Sequence, residues 1–278
     1  MRKYIALFAV LAIFITADVF AANMSDIMPV LKKAKQDINA TLTEIGIDLQ
    51  TAAKALSGMD LKSDEVRKIL TGLRKFRPYV VNCAILDADG VKITIEPAEY
   101  KEFEGVDRSD QPYAIELLKT KKPAMSDVYH STEGMNAISI GYPIFSSTGE
   151  LQGAVRMLIR HEAFLKPLVG EKPCDIWVMQ PNGLLVYDKD PEQVGLNIFS
   201  DSMFKPFDDL IAFSKTVALS KTGAGSYKFY TEGLKDKTLA EKIAAWDTAG
   251  LYGTEWRVVA MEIEKAAEQP AEKSAAGK

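Results

Sequence analysis

The sequence predicts an α+β fold in which a long N-terminal helix is followed by two antiparallel-sheet modules. Apolar residues recur at three- and four-residue steps over residues 24–56, which is typical of an amphipathic helix. Strand-like runs separated by Gly-containing turns begin at Tyr79, and a second series in a related order begins at Asp175. Neither series alternates strands and helices regularly, which argues against a parallel doubly wound sheet.

Residues 1–22 have the layout of a secretory signal. Arg2 and Lys3 form a short positive region, an apolar run covers residues 4–15, and alanines end the segment. The run is shorter than the roughly 20 residues of a spanning helix, although residues 4–20 can cross a thin bilayer with tilt. A cleaved signal peptide and an uncleaved N-terminal anchor both stay open. Either one places the rest of the chain in the periplasm or outside the cell.

The composition is that of a globular protein with a mild acidic balance, 34 Lys and Arg against 38 Asp and Glu. No basic patch stands out, so we expect no nucleic-acid partner. Cys83 and Cys174 lie far apart and lack the C-x-x-C spacing of metal or redox sites. An exported chain can form a disulfide. We favour two buried free thiols, because the cysteines fall in different predicted modules.

The N-terminal helical segment is predicted over residues 23–76. Its first helix has Ser25 as a candidate cap, and Gly58 breaks the helical pattern. A second helix follows Ser63, another candidate cap, and presents an apolar face. The two helices form a long approach to the first sheet module.

The first sheet module is predicted over residues 77–167. Asp89-Gly90 predicts a tight hairpin turn, because Gly adopts the positive φ that this turn needs. A short helix follows, then two longer strands, and a helical connector ends the module. In chain order, these elements are predicted at residues 80–86, 91–95, 112–118, 137–145, 151–159 and 161–169.

The second module is predicted over residues 168–264 and repeats this order approximately, which indicates an internal duplication. Its opening hairpin turns at Pro181-Asn182-Gly183. Residues 265–278 are poor in apolar residues and predict a disordered tail. The strands are predicted at residues 175–179, 184–187, 226–230, 242–246 and 256–261, and the helix at 204–218.

Several motifs recur in a characteristic order along the chain. The first half carries GVDRSDQPY at 105–113, KPAMSDVY at 122–129 and IGYPIF at 140–145, and the second carries NGLLVYDKDP at 182–191 and GTEWRVV at 253–259. In order and spacing these motifs resemble the double Cache family of extracytoplasmic sensor domains, over residues 25–264.

The resemblance implies two PAS-like (Cache) antiparallel sheets stacked along one long N-terminal helix. It makes residues 77–167 the membrane-distal module, with the ligand pocket beneath the segment 96–131, and residues 168–264 the membrane-proximal module. We expect no cofactor and no metal. No second hydrophobic span follows the sheets, so we expect a stand-alone form without an output domain.

In amino-acid-binding members of the family, an Arg grips the ligand carboxylate and an Asp grips its amine. Gln111 and Leu158 stand at those two positions here, so we do not expect an amino-acid ligand. Tyr113 and Tyr129 match positions that commonly line the pocket. The candidate ligand-binding residues are Arg108, Gln111, Tyr113, Tyr129, His130, Ser131, Tyr142 and Arg156.

Each candidate also has a structural interpretation. The tyrosines can be core packing. Arg108 and His130 can be solvated, and Arg156 can face either solvent or ligand. The acidic residues Asp188, Asp190 and Glu192 lack the Gly and terminal Glu of a calcium loop, so we predict a solvated turn there.

We therefore expect an exported sensor module that binds a small anionic metabolite, such as an organic acid, and signals to a membrane receptor or kinase. We also expect a homodimer formed through the N-terminal helix. Two alternatives stay open: an interaction protein whose degenerate Cache fold binds no ligand, and a hydrolase. The chain has two His and neither a Gly-x-Ser-x-Gly nor a His-Glu-x-x-His motif, so we expect no enzyme activity.

Overall fold

The computed structural model describes residues 2–170, 172–233 and 238–264, and over residues 2–19 it describes the backbone alone. The tail predicted at residues 265–278 lies outside the described residues. Over the described residues, none of the helices is both long and apolar enough to cross a membrane. The helices are α1 (Arg2–Leu56), α2 (Asp64–Arg74), α3 (Pro112–Thr120), α4 (His161–Val169) and α5 (Asp208–Leu219), with a 3₁₀ helix at Ala98–Phe103.

Two antiparallel sheets follow the helical segment. The first contains β1 (Val80–Asp87), β2 (Lys92–Glu96), β3 (Ala124–Met125), β4 (Tyr129–His130), β5 (Asn136–Phe145) and β6 (Leu151–Ile159). Its order is β2-β1-β6-β5-β3, with β4 paired to β5. The second contains β7 (Asp175–Met179), β8 (Leu185–Tyr187), β9 (Gly223–Tyr230), β10 (Leu239–Leu251) and β11 (Thr254–Ile263), in the order β8-β7-β11-β10-β9.

One apolar stripe of α1 joins the two sheets. The stripe recurs at three- and four-residue steps, so its side chains point to one side of the helix. They enter a single core with residues of both sheets, such as Ile140 of β5 and Val258 of β11. The stripe consists of Ile27, Leu31, Ala34, Ile38, Leu42, Ile45 and Leu49, all at most 2% exposed.

Each sheet turns one face to α1 and the other face to a separate cover. In the first sheet, Val155 and Met157 of β6 join the α1 core, whereas the alternate residues face α3 and the loop after β4. The backbone of Gly141 lets α3 pack closely, because a Cβ there would lie 2.5 Å from a methyl of Leu117. In the second sheet, α5 and the segment after β8 cover the outer face.

The predicted α+β fold is confirmed, and the structure corrects several details. Ser25 does not cap a helix start, because α1 already includes it; its hydroxyl donates to the carbonyl oxygen of Ala22 at 2.7 Å. Ser63 precedes α2 but makes no capping hydrogen bond. The last predicted helix begins at Asp208, since Phe204 is buried in the core before it. The boundary expected between the modules, at residues 167 and 168, falls within α4 and stays a prediction.

Two contacts link the modules beside the first sheet's cover. The backbone N–H of Val128 donates to the side-chain oxygen of Gln180 at 2.8 Å. The hydroxyl of Thr254, at the start of β11, donates to the carbonyl oxygen of Met125. The segment that contains β3 and β4 is therefore attached to the second module at two points.

Three buried titratable groups take no part in these contacts. Burial raises the pKa of Cys83 to about 12 and that of Cys174 to about 11, and both are free thiols. His161 is 1% exposed, and neither ring nitrogen has a hydrogen-bond partner in the described part of the chain. Burial lowers the pKa of His161 to about 4. The imidazole is therefore neutral in the folded protein at pH 7.

We predict that His161 makes stability depend on pH. Its folded-state pKa lies below its unfolded value of 6.5, so the unfolded chain binds more protons as the pH falls from 6.5 towards 4. Relative to the His161→Phe variant, the wild type should lose about 3 kcal/mol of unfolding free energy over this interval and no more below it. Urea unfolding at closely spaced pH values measures the difference.

The control is His130→Gln, which removes the exposed histidine. This variant should keep the same pH dependence as the wild type. If the wild type and His161→Phe differ by a constant amount between pH 7 and pH 4, the assignment of a neutral buried imidazole is wrong.

Candidate ligand-binding site

A cavity of about 390 Å³ lies on the outer face of the first sheet. The sheet forms its floor, the start of α3 forms one wall, and the segment 129–136, which we call the cover loop, forms the opposite wall. The lining residues are Lys92, Arg108, Gln111, Tyr113, Tyr129, His130, Ser131, Thr132, Glu133, Gly134 and Arg156.

Two tyrosines and an arginine from different sides of this cavity lie close together. The rings of Tyr113 and Tyr129 lie 5.6 Å apart at 31°. The guanidinium carbon of Arg156 lies 5.7 Å from the centroid of the Tyr113 ring, a cation–π geometry. Arg156 is 1% exposed, so the side chain faces the pocket and not solvent. Of the two orientations that the sequence left open for Arg156, the structure shows the one that faces the cavity.

The cover loop places a carboxylate inside the cavity. The side chain of Glu133 is 1% exposed, and its Oε1 lies 2.9 Å from Nζ of Lys92 and 3.7 Å from Nη2 of Arg156. Nδ2 of Asn82 also donates to Oε1 at 2.9 Å. The carboxylate therefore neutralises cationic groups that have no access to water.

The charges of this cluster explain the pKa values of its members. Burial alone would raise the pKa of Glu133, but the positive charges of Arg156 and Lys92 outweigh burial and lower it to about 2. Burial, together with the charge of Arg156, lowers the pKa of Lys92 to about 8. Burial raises the pKa of Tyr129, so its phenol stays protonated. At neutral pH the cavity holds more positive than negative charge.

Several polar atoms around the cavity are buried without a hydrogen-bond partner in the described part of the chain. They include Nε of Arg108, Nε of Arg156 and Oγ of Ser131. An unpaired buried polar group costs about 1–3 kcal/mol. Such atoms around one cavity are typical of a site that is completed by a bound polar molecule or by water.

The structure brings seven of the eight candidate residues to this cavity: Arg108, Gln111, Tyr113, Tyr129, His130, Ser131 and Arg156. His130 is exposed at the rim, where Nδ1 lies 3.3 Å from Oδ1 of Asn136. The eighth, Tyr142, does not reach the cavity. Its side chain leaves β5 towards α1, and its hydroxyl accepts a hydrogen bond from Nε2 of Gln50 at 2.9 Å.

Sequence reasoning missed the two residues that set the charge of the pocket. Lys92 stands in the alternating pattern Lys-Ile-Thr-Ile-Glu of β2, which normally indicates a solvated side chain. Glu133 stands in a Thr-Glu-Gly turn, which is also typical of a surface loop. No local sequence signal distinguishes Lys92 and Glu133 from solvated charged residues, because they are buried as an ion pair between residues 41 positions apart.

Three apolar residues near the cavity, Met125, Ile138 and Leu158, do not line it. Met125 and Ile138 belong to the core against α1. Leu158 packs with Val81 and Ala137 beneath Tyr129. These apolar side chains therefore do not fill the cavity of the first module.

The prediction of a solvated turn at Asp188 and Asp190 is wrong. Asp190 is 6% exposed, and burial raises the pKa of Asp188 to about 7. Both residues line a second cavity in the other module, so they do not form a solvated turn. Within the described residues, no group of three or more His, Cys, Asp or Glu side chains is placed to hold a metal ion.

The first module is similar to a known family of sensor domains. A family model described as HK/GC/chemotaxis protein-like, sensor domain matches residues 40–161. The match runs from the second half of α1 to the end of β6 and therefore contains the whole cavity described above. No curated protein matches the chain.

Solved structures resemble the chain over both modules. An extracellular ligand-binding receptor from Desulfohalobium retbaense matches 84% of this chain with 26% identity and a TM-score of 0.71, over 39% of its own length. The ligand-binding domain of the Campylobacter jejuni chemoreceptor Tlp3, in complex with 4-methylisoleucine, has 15% identity and a TM-score of 0.67, and the match covers 92% of this chain and 96% of that domain.

A third similar structure is the ligand-binding domain of the Pseudomonas aeruginosa amino-acid chemoreceptor PctB in complex with L-Arg. It has 14% identity and a TM-score of 0.59, and the match covers 86% of this chain and 93% of that domain. The chain spans about two-fifths of the Desulfohalobium receptor. These matches confirm the resemblance to double Cache sensor domains.

We predict that Glu133 stabilises the protein through its buried ion pairs. Glu133→Gln leaves Lys92 and Arg156 buried without a counter-charge, and it should lower the unfolding free energy by about 3 kcal/mol. Urea unfolding at neutral pH and low anion concentration measures this loss. Glu150→Gln, at an exposed turn, is the control and should change stability by less than about 0.5 kcal/mol. Equal losses in the two variants would contradict the prediction.

Proposed function

We propose that this chain is an exported sensor module that binds a small organic acid in the distal cavity and relays its presence to a membrane receptor or kinase. The observation that carries the proposal is the convergence of Lys92, Arg108 and Arg156 on one cavity, where buried polar atoms have no hydrogen-bond partner among the described residues. The similarity to ligand-binding sensor domains supports it.

The chemistry of the cavity favours a carboxylate ligand. Guanidinium and ammonium groups form their strongest hydrogen bonds with carboxylates and phosphates. Arg156 and Lys92 hold the carboxylate of Glu133, whereas Nε of Arg108 is buried without a partner in the described part of the chain. The aromatic rings of Tyr113 and Tyr129 offer an apolar surface beside these charges. An organic acid with a short carbon chain suits both features.

Glu133 stands where a ligand carboxylate would bind. Its contacts to Lys92, Arg156 and Asn82 are those that an acid would make with the same groups. A bound acid therefore competes with Glu133 and displaces the cover loop. A dicarboxylate can do so most effectively, because it supplies the charge of Glu133 and a second charge for Arg108.

Displacement of the cover loop gives a route to the second module. Tyr129 lines the cavity, and the preceding residue, Val128, is hydrogen-bonded to Gln180. A shift of Tyr129 on binding therefore moves a contact that the two modules share. A receptor or kinase that contacts the second module can detect this change.

Export is part of the proposal. Residues 1–22 have the layout of a signal peptide or anchor. The similar solved domains include an extracellular receptor and chemoreceptor ligand-binding domains. Dimer formation through the helical segment 23–76 stays a prediction.

A second candidate function is an interaction module that binds no small molecule. The ion pairs of Glu133 favour it, because they already neutralise part of the cavity's charge. Under this alternative the cluster only fixes the cover loop. Neither the wild type nor a Glu133 variant would then bind organic acids.

We predict that short carboxylates such as acetate, propionate and succinate stabilise the mature protein in a thermal-shift assay. Arg156→Gln should abolish the shift, because it removes the buried cation. Tyr129→Ala should weaken binding about tenfold without unfolding the chain, as should Tyr113→Ala. Isothermal titration measures the affinities. Arg160→Gln, an exposed arginine on the same segment, is the matched control and should bind like the wild type.

An absence of stabilisation by any carboxylate would count heavily against the proposed function. Unchanged affinity in Arg156→Gln, Tyr113→Ala and Tyr129→Ala would leave binding in place but overturn the assigned site.

We further predict that Glu133→Gln binds succinate about tenfold more tightly than the wild type, since the internal competitor is gone. Titration of wild type, Glu133→Gln and Glu150→Gln with the same acid tests this. Weaker binding by Glu133→Gln would show that Glu133 contacts the bound molecule, and it would overturn the competition mechanism.

A further inference from the structure

The second module contains a cavity in the position equivalent to that of the first module. It lies on the face of its sheet that points away from α1, beneath α5 and the segment after β8, and its volume is about 330 Å³. An apolar cavity of about 150 Å³ is already large enough to hold benzene. The duplicated fold thus supplies two cavities, and the proposed function uses only the first.

Aromatic side chains form the walls of this second cavity. Trp177, Tyr227, Phe229 and Phe204 all line it and all are at most 4% exposed. The indole Nε1 of Trp177 donates to the hydroxyl of Tyr227 at 3.2 Å, so these two polar ring atoms already bind each other. The walls therefore offer ring surfaces to a molecule inside the cavity.

A buried lysine reaches the cavity from the sheet. Strand side chains alternate between faces, so Lys242 of β10 lies on the same outer face as Ala244 and Trp246. Lys242 is 3% exposed, and its Nζ lies 5.6 Å from the centroid of the Phe229 ring. Within the described residues, its ammonium group forms no hydrogen bond and no ion pair. Its N–H donors are therefore available to a molecule in the cavity.

Two carboxylates near Lys242 already have other partners. Asp175 forms an ion pair with Lys189 at 3.0 Å. The carboxylate of Asp190 accepts a hydrogen bond from Nε2 of Gln193. Burial lowers the pKa of Lys242, because its charge is held away from water. An anion in contact with the ammonium group would offset this cost.

Asp188 is the other titratable group that faces Lys242 across the cavity. Its Oδ1 accepts a hydrogen bond from the backbone N–H of Asp190 at 2.8 Å, and the described residues include no ion pair that contains Asp188. Burial raises the pKa of Asp188 to about 7, so the carboxyl group is close to half protonated at neutral pH. An anion bound nearby would raise this pKa further, and the protonated group would not repel it.

These groups favour a ligand that carries a hydrogen-bond acceptor. An ammonium group only donates hydrogen bonds, and those that it makes with carboxylates are among the strongest in proteins. A ligand amine would share the cavity with Lys242 and be repelled by its charge. The aromatic walls favour a flat ring beside the acceptor, because aromatic pairs gain energy beyond simple burial.

We propose that the second cavity is a binding site for a small aromatic carboxylic acid. The carboxylate contacts Nζ of Lys242, and the ring lies against Trp177 and Phe229. This site goes beyond the proposed function: it is separate from the organic-acid site of the first module and does not depend on it.

Phenylacetate is a suitable probe, because it joins one phenyl ring to a carboxylate through a single carbon. We expect saturable binding in isothermal titration and a shift of the Trp177 indole N–H signal in a ¹H–¹⁵N spectrum. The Trp177→Phe variant assigns that signal. The neutral 2-phenylethanol should bind about tenfold more weakly than phenylacetate, and phenethylamine should not bind.

Variants of the cavity separate the roles of its residues. Lys242→Met should weaken phenylacetate binding at least about tenfold but 2-phenylethanol binding less than about threefold, so the preference for the acid is lost. Lys228→Met, at an exposed position of the neighbouring strand β9, is the matched control and should bind like the wild type. Asp188→Asn should bind phenylacetate at least as tightly as the wild type. Phe229→Leu, the second variant if Lys242→Met does not fold, should weaken binding of the acid and the alcohol alike.

Four outcomes would overturn the proposal: no shift of the Trp177 signal with phenylacetate, equal affinity in Lys242→Met and Lys228→Met, equal affinity of the wild type for phenylacetate and 2-phenylethanol, or tighter binding of phenethylamine than of the acid. Arg156→Gln should lose succinate binding and keep the Trp177 shift with phenylacetate, whereas Lys242→Met should keep succinate binding. A failure of one site is therefore distinguishable from a failure of the other.

Discussion

Burial of one apolar stripe of α1 against both sheets is the constraint on which the rest of the structure depends. Each fully buried Leu or Ile of that stripe contributes about 1.5–3 kcal/mol, and the residues from Ile27 to Leu49 act together. Because both sheets pack one face against α1, only the opposite face of each sheet can be covered by the helix and loops of its own module. The positions of the two cavities follow from this, since each lies between the outer face of a sheet and the segment that covers it.

The cavity of the first module shows how buried cations are neutralised by a carboxylate from a loop. Lys92 and Arg156 come from strands of the sheet, where their positions are fixed, whereas Glu133 comes from the cover loop. A buried charge is costly unless it is paired. The neutralising carboxylate of Glu133 is therefore carried by the cover loop and not by the sheet. Under the proposed function, exchange of this group for a ligand carboxylate would change the loop and leave the sheet in place, and the hydrogen bond from Val128 to Gln180 would extend the change to the second module.

Local patterns predict those features that local physics decides. The three- and four-residue period predicts the α1 stripe, and Asp89-Gly90 predicts its hairpin because Gly90 needs a φ of +92°. The resemblance to a known family predicted most of the residues that line the cavity of the first module. Tyr142 was misplaced because neighbouring strand residues alternate between faces, and register decides which face is the pocket. Glu133 was missed, and Asp188 was wrongly predicted to be solvated, because their burial arises from contacts far away in the sequence, which no turn pattern encodes.

The two faces of each sheet are under different constraints. The faces packed on α1 are held to apolar residues such as Val155 and Val258, and a change there would cost core packing in both modules. The outer faces and their covers carry no such demand. Arg156 on β6 and Lys242 on β10 are both cations on sheet strands, whereas the carboxylates Glu133 and Asp188 come from the segments that cover the sheets. The polar groups of each cavity therefore come from positions that do not serve the shared core.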